Sequence, residues 1–162
     1  MSQRILDFYD NLVSHLAGDA TLPELEVPQV LLVTGPDDEE QIKAIDQFVQ
    51  RQVMRTKGLA VVIFDAGGQN AEPEVRDSKL LADMAFEVRL FIHPQKWGKT
   101  YDPTKREALV ILEALVSSLH GAEVNPAERG CHDAVRVNEF APVPDPEFWA
   151  WNITAQRALV IP

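Results

Sequence analysis

Cys131, His132 and Asp133 stand side by side, a nucleophile, a base and an orienting acid in consecutive positions. Catalytic partners of this kind meet through the fold and seldom along the chain, so the expectation is a loop thiol with no catalytic task. Thr34-Gly35-Pro36, ahead of Asp37, Asp38, Glu39 and Glu40, has the outline of a phosphate loop. A phosphate cradle needs several glycine amides and a lysine, and four carboxylates would repel the anion. The stretch reads instead as a helix start whose acids suit the positive end of the helix dipole. The same acids do not converge on a cation unaided, because consecutive helical residues point in different directions.

Asp65-Ala66-Gly67-Gly68 follows an apolar run, a place where α/β enzymes often put an acidic residue. The plainer reading is a loop that begins with an acid and two glycines. His15, His93 and His120 are scattered over a helix, a strand end and a helix end, and none pairs at metal spacing. His120 reads as a helix cap and the other two as surface residues. Trp149 and Trp151, two apart in a strand, would make a stacking platform for bases only beside basic residues. Core or subunit interface is the expectation for them. No catalytic, cofactor or metal set emerges. The alternative is a small cytoplasmic enzyme or ligand-binding domain using Asp65 and the loop after it, with Asp37 to Glu40 helping to hold a metal.

These residues must be positioned by a small set of elements. Leu80, Ala82, Met84, Phe86, Val88, Leu90 and Ile92 fall on one parity, while Asp83, Glu87, Arg89 and His93 fall on the other. That period of two describes a long half-buried strand, closed by Pro94. A charged loop with Trp97 follows, and then a helix from Asp102-Pro103 to His120-Gly121 whose Ala108, Leu109, Ile111, Leu112, Leu115, Val116 and Leu119 leave a narrow polar stripe. Most of that helix must be covered by a sheet or by another chain.

Ahead of this unit, residues 3–17 form an amphipathic helix through Ile5, Leu6, Tyr9, Leu12, Val13 and Leu16. Residues 30–33 read as a short strand. A helix from Asp37 carries Ile42, Ile45, Phe48, Val49 and Val53 on its core face, and residues 59–64 form a buried strand. Residues 66–77 read as a long, polar, mobile loop, of a size that usually serves interaction. Towards the end, residues 134–140 and 148–161 alternate as strands joined by a proline-rich connection. The order implies one domain of α+β class, a mixed and mainly antiparallel sheet with helices packed on it.

A chain of 162 residues is long enough for one domain with a proper core, and its 46% hydrophobic and 25% charged content is ordinary for a soluble protein. No apolar run approaches the roughly 20 residues of a membrane span, and the first ten residues are amphipathic rather than signal-like. With Cys131 the single cysteine, the expectation is a cytoplasmic protein without disulfides or thiolate zinc. The net charge of −10 argues against gripping nucleic acid through its phosphates. Residues 18–48 hold eight carboxylates against Lys43 alone, so most of that charge is concentrated there. After Arg76 the signs mix, as suits a surface where copies of a chain meet without repelling.

The order of elements and several local phrases resemble the tail terminator, or tail completion, proteins of long-tailed phages and prophages, including the lambda-type minor tail proteins. The phrases are the strand at residues 59–64 running into a polar loop, MAFEVRLFI at 84–92, REALVILEALVSSLH at 106–120, and the closing strand hairpin at 135–161. The resemblance implies a small α+β protein that forms a six-fold ring on the end of the tail tube. Such a ring stops tube polymerisation and joins the tube to the head connector, without enzymatic activity or cofactor. Its partners would be further copies of itself, the tail tube protein and the connector. DNA would pass through without specific binding, and no membrane would be involved. The expected location is the cytoplasm during assembly and then the virion tail. In such a ring, Gly67, Gly68, Glu74, Arg76, Arg89 and Trp97 are the expected subunit-interface residues, and the acidic stretch 18–48 is expected to face the lumen.

Overall fold

The computed structural model describes residues 4–18, 30–33, 39–54, 58–70, 80–93, 106–123 and 134–161. In chain order its elements are α1 (Arg4–Ala17), β1 (Val30–Val33), α2 (Glu39–Val49) with a π-helical turn (Gln50–Met54), β2 (Leu59–Asn70), β3 (Leu80–Ile92), α3 (Arg106–Leu119), β4 (Arg136–Val143) and β5 (Trp149–Ile161). The strands form one sheet in the order β1-β2-β3-β5-β4. β1 runs parallel to β2, and every other pair is antiparallel. The fold is α+β.

Alternation in β3 and β5 decides which face each residue takes. In the register, Phe86 lies opposite Ala155, Val88 opposite Ile153, Leu90 opposite Trp151 and Ile92 opposite Trp149. With Leu59, Val61 and Ile63 of β2 they make an apolar face. It is sealed by Phe8, Tyr9, Leu12 and Leu16 of α1 and by Ala108, Ile111, Leu112, Leu115 and Leu119 of α3. Both tryptophans are therefore core residues. His15 joins the two covering helices: its Nε2 donates to the Ser118 carbonyl at 2.9 Å. The sequence reading of His15 as a surface residue is corrected by this contact.

Parallel strands need a crossover, and α2 supplies it between β1 and β2 on the opposite face. There Phe48, Val49 and Val53 pack with Val33, Ala60, Val62, Phe91, Phe148 and Ala150. The π-helical turn carries the apolar pattern on to Val53. Gly121, with φ of +80°, ends α3 as its position suggests. Its N–H donates to the Val135 carbonyl at 2.8 Å, and Val135 N–H donates back to Ala122 at 3.0 Å. His120 does not cap its own helix: its Nδ1 accepts from Val137 N–H at 3.1 Å and holds the start of β4.

Other expectations need correction. Residues 66–70 continue β2 rather than opening a loop, because a bulge between Asp65 and Gly68 absorbs the glycines without ending the ladder. β4 runs through Ala141-Pro142-Val143, residues that read as its end and a connection. Proline is tolerated there because β4 is the last strand of the sheet. On α3, the sheet covers Ala108, Ile111, Leu112, Leu115 and Leu119, while Leu109 and Val110 are exposed in the single chain. The expected helix starts at Asp37 and at Asp102-Pro103 lie outside the described residues, as do Thr34-Gly35-Pro36 and Cys131-His132-Asp133. Among the described residues, no helix is long and apolar enough to cross a membrane.

Candidate functional site

The apolar cluster beneath α2 takes in Phe91 and Ala150, with Phe64 and Val143 packed at its edge, and beyond it the same face of β3, β5 and β4 is largely polar. Three rows of cross-strand neighbours compose it. Glu87 lies opposite Thr154, which lies opposite Glu139; Arg89 opposite Asn152, then Ala141; and Ala85 opposite Gln156, then Arg136. Asp83 extends the surface along β3. None of these side chains belongs to either hydrophobic core, and each is half-buried or exposed.

Among the described residues, few side-chain bonds tie this face together. Asn138 Nδ2 donates to Gln156 Oε1 at 3.2 Å, and Thr154 Oγ1 donates to the Glu139 carbonyl at 3.4 Å. Arg89 holds its guanidinium 5.1 Å from the centre of the Phe64 ring, a cation–π arrangement. Its Nε and the Oδ1 of neighbouring Asn152 are buried without a hydrogen-bond partner. Acids and arginines alternate over the surface, so it has no single sign.

At the bulge the chemistry is structural. Asp65 Oδ1 accepts from the Tyr9 hydroxyl at 2.6 Å and from Gly67 N–H at 3.1 Å, fixing α1 to the kink in β2. Tyr9 is buried against Phe8 and Phe86, with ring centres 5.1 and 6.3 Å away. Burial, then the bond to Asp65, then the charge of Asp65 push the phenol pKa well above its ordinary value. Gly67 takes φ of +83°, and a Cβ on Gly68 would come within 2.7 Å of Met84 Sδ.

Of the six expected interface residues, Arg89 therefore lies on this polar face, which is open among the described residues, while Gly67 and Gly68 shape the bulge. Glu74, Arg76 and Trp97 lie outside the described residues. Sequence reading missed Arg157, which is buried on the apolar face at 2% exposure with its guanidinium 5.2 Å from the centre of the Phe8 ring. The signal was present, since Arg157 is the one charged residue on the tryptophan parity of β5. Among the described residues, no group of three or more histidines, cysteines and carboxylates is placed to hold a metal. Compared with known proteins, the chain matches no protein-family model and no curated protein.

Proposed function

We propose that this chain is a structural assembly protein of a phage or phage-like tail. Copies form a six-fold ring on the end of the tail tube, stop its growth and join it to the head connector. The chain performs no catalysis in this role. The observation that carries this reading is the open polar face of β3, β5 and β4, a broad sheet surface of mixed charge outside both cores. Alternating acids and arginines let a chain of net charge −10 meet further copies without like-charge repulsion. In a ring each contact joins two different patches of the same chain and repeats around the axis. The overall acidity keeps DNA phosphates from binding as the genome passes. Assembly in the cytoplasm and residence in the virion tail follow from this role.

The alternative reading, an enzyme or ligand-binding domain built on Asp65, loses support because that carboxylate already fastens Tyr9 and the Gly67 amide. The test is to add the purified chain to polymerising tail tube subunits and measure tube length by electron microscopy, with native mass spectrometry of the chain on tube ends. Growth arrest with a closed ring is expected. Unchanged tube growth, with the chain monomeric in the presence of tube ends, would refute the proposal.

A further inference from the structure

A cleft opens where α2 meets the turn between β4 and β5. Its volume is about 300 Å³, and it is lined by Ile45, Asp46, Val49, Gln50, Phe91, Asp145, Pro146, Glu147 and Phe148. That is at the small end of ligand-site volumes, suited to inserted side chains rather than to a whole cofactor. The floor is apolar, since Val49, Phe91 and Phe148 belong to the core beneath α2 and Ile45 packs against it. All three charged residues of the lining, Asp46, Asp145 and Glu147, are acidic.

The rim is fixed from both sides. Gln50, at the start of the π-helical turn, donates from Nε2 to Glu147 Oε2 at 2.7 Å and ties α2 to the hairpin. Asp145 Oδ1 accepts from the backbone N–H of Glu147 and of Phe148, each at 2.9 Å, so the turn that carries the acids is itself held. An apolar floor under a carboxylate rim matches a side chain with an aliphatic stem and a cationic head, accompanied by an aromatic ring.

The chain carries such a sequence. Residues 95–106 hold Lys96, Trp97, Lys99, Lys105 and Arg106 against Asp102 alone, four of the fifteen basic residues within twelve positions of an acidic protein. We infer that this cleft is the receiving half of the contact between copies, and that the Lys96-Trp97-Gly98-Lys99 stretch of a second copy is its occupant. The inference rests on the self-assembly reading and names one of the contacts that reading requires. A cleft and a complementary segment on one chain give a head-to-tail contact, the type that closes into a ring when its rotation permits.

Two variants test it: Asp46→Lys with Glu147→Lys in the cleft, and Lys96→Glu with Lys99→Glu in the segment. Asp46 and Glu147 are exposed, and matching thermal melts by circular dichroism establish that each variant folds as the parent does. Sedimentation velocity over a concentration series then reads association. Each variant alone is expected to associate at least about tenfold more weakly than the parent, by like-charge repulsion at the contact. Mixed one to one, they are expected to co-assemble in alternation, because the cleft of each is complementary in charge to the segment of the other. Combining all four reversals in one chain is expected to restore self-association. A cleft variant that assembles like the parent and still arrests tube growth would overturn the cleft contact and leave the ring reading standing. Folded variants that stay monomeric when mixed, while the parent associates, would also overturn it. A parent chain that remains monomeric with and without tube ends would overturn both.

Discussion

Tyr9→Phe removes one hydroxyl from the interior and keeps the ring that packs on Phe8 and Phe86. The lost bond is short, 2.6 Å to Asp65 Oδ1, and its acceptor is a carboxylate. Hydrogen bonds to charged groups contribute about 1.5–3 kcal/mol, and half-exposed Asp65 recovers part of that from water. The expected loss at pH 7 is therefore about 2 kcal/mol, read as a shift of the urea midpoint at constant slope. The raised phenol pKa adds a second signature. Above the ordinary tyrosine pKa of about 10, the unfolded chain releases a proton that the folded chain keeps, so stability falls as pH rises. The contribution is fully present below about pH 10 and declines by about 1.4 kcal/mol per pH unit above it. Phenylalanine has no such proton. The stability gap between parent and variant should therefore narrow from about 2 kcal/mol at pH 9 to near zero at about pH 11.5. A gap below about 0.5 kcal/mol at pH 7, or one that stays constant up to pH 11.5, would refute the assignment of Tyr9 and Asp65 as a buried fastening.

Leu112→Ala, in the middle of α3 against the sheet, should cost about 2–5 kcal/mol by loss of buried surface and the cavity left behind, measured by chemical denaturation. Gly67→Ala should cost about 1 kcal/mol through its left-handed backbone, with Gly67→Asn milder, compared as thermal midpoints. Gly68→Ala acts by contact instead: Met84 Sδ must move from 2.7 Å and the Asp83 carbonyl stands at 3.2 Å, for an expected cost of about 1–3 kcal/mol in the same melts.

Period-two alternation made β3 and β5 legible, and the glycine at 121 marked the end of α3, because these signals lie within a few consecutive residues. The neighbours of each strand were not legible. Nothing local in β3 says that all thirteen residues of β5 pair with it, a match that spans Leu80 with Ile161 at one end and Ile92 with Trp149 at the other. Gly67-Gly68 read as a loop because two glycines usually end a strand, whereas a bulge uses them to kink one. What fastens that kink, a tyrosine 56 positions earlier in the chain, is a tertiary fact. Arg89 stands on the polar parity of β3 in the sequence, and in the fold that parity faces away from α1 and α3. The acidic cleft was missed because Asp46 and Glu147 come together only when α2 crosses over β2 towards the β4–β5 turn.

Arg89 and Asn152 carry the last prediction, because they are costly residues for a chain that works alone. Each has a buried polar atom without a hydrogen-bond partner, and an unmade bond of that kind costs about 1–3 kcal/mol. Replacing both by apolar side chains of similar shape, Arg89→Met with Asn152→Leu, removes both unmet groups at once. What is lost is the cation–π contact with Phe64, worth about 0.5–1 kcal/mol at a partly exposed site. The double variant should therefore fold within about 1 kcal/mol of the parent, or more stably, by chemical denaturation. If the polar pair is kept for contact with another copy, the same variant should lose assembly on tube ends while keeping its fold. A loss of several kcal/mol would mean that the isolated chain already satisfies both groups. Full assembly by the variant would mean that the open face is not where copies meet.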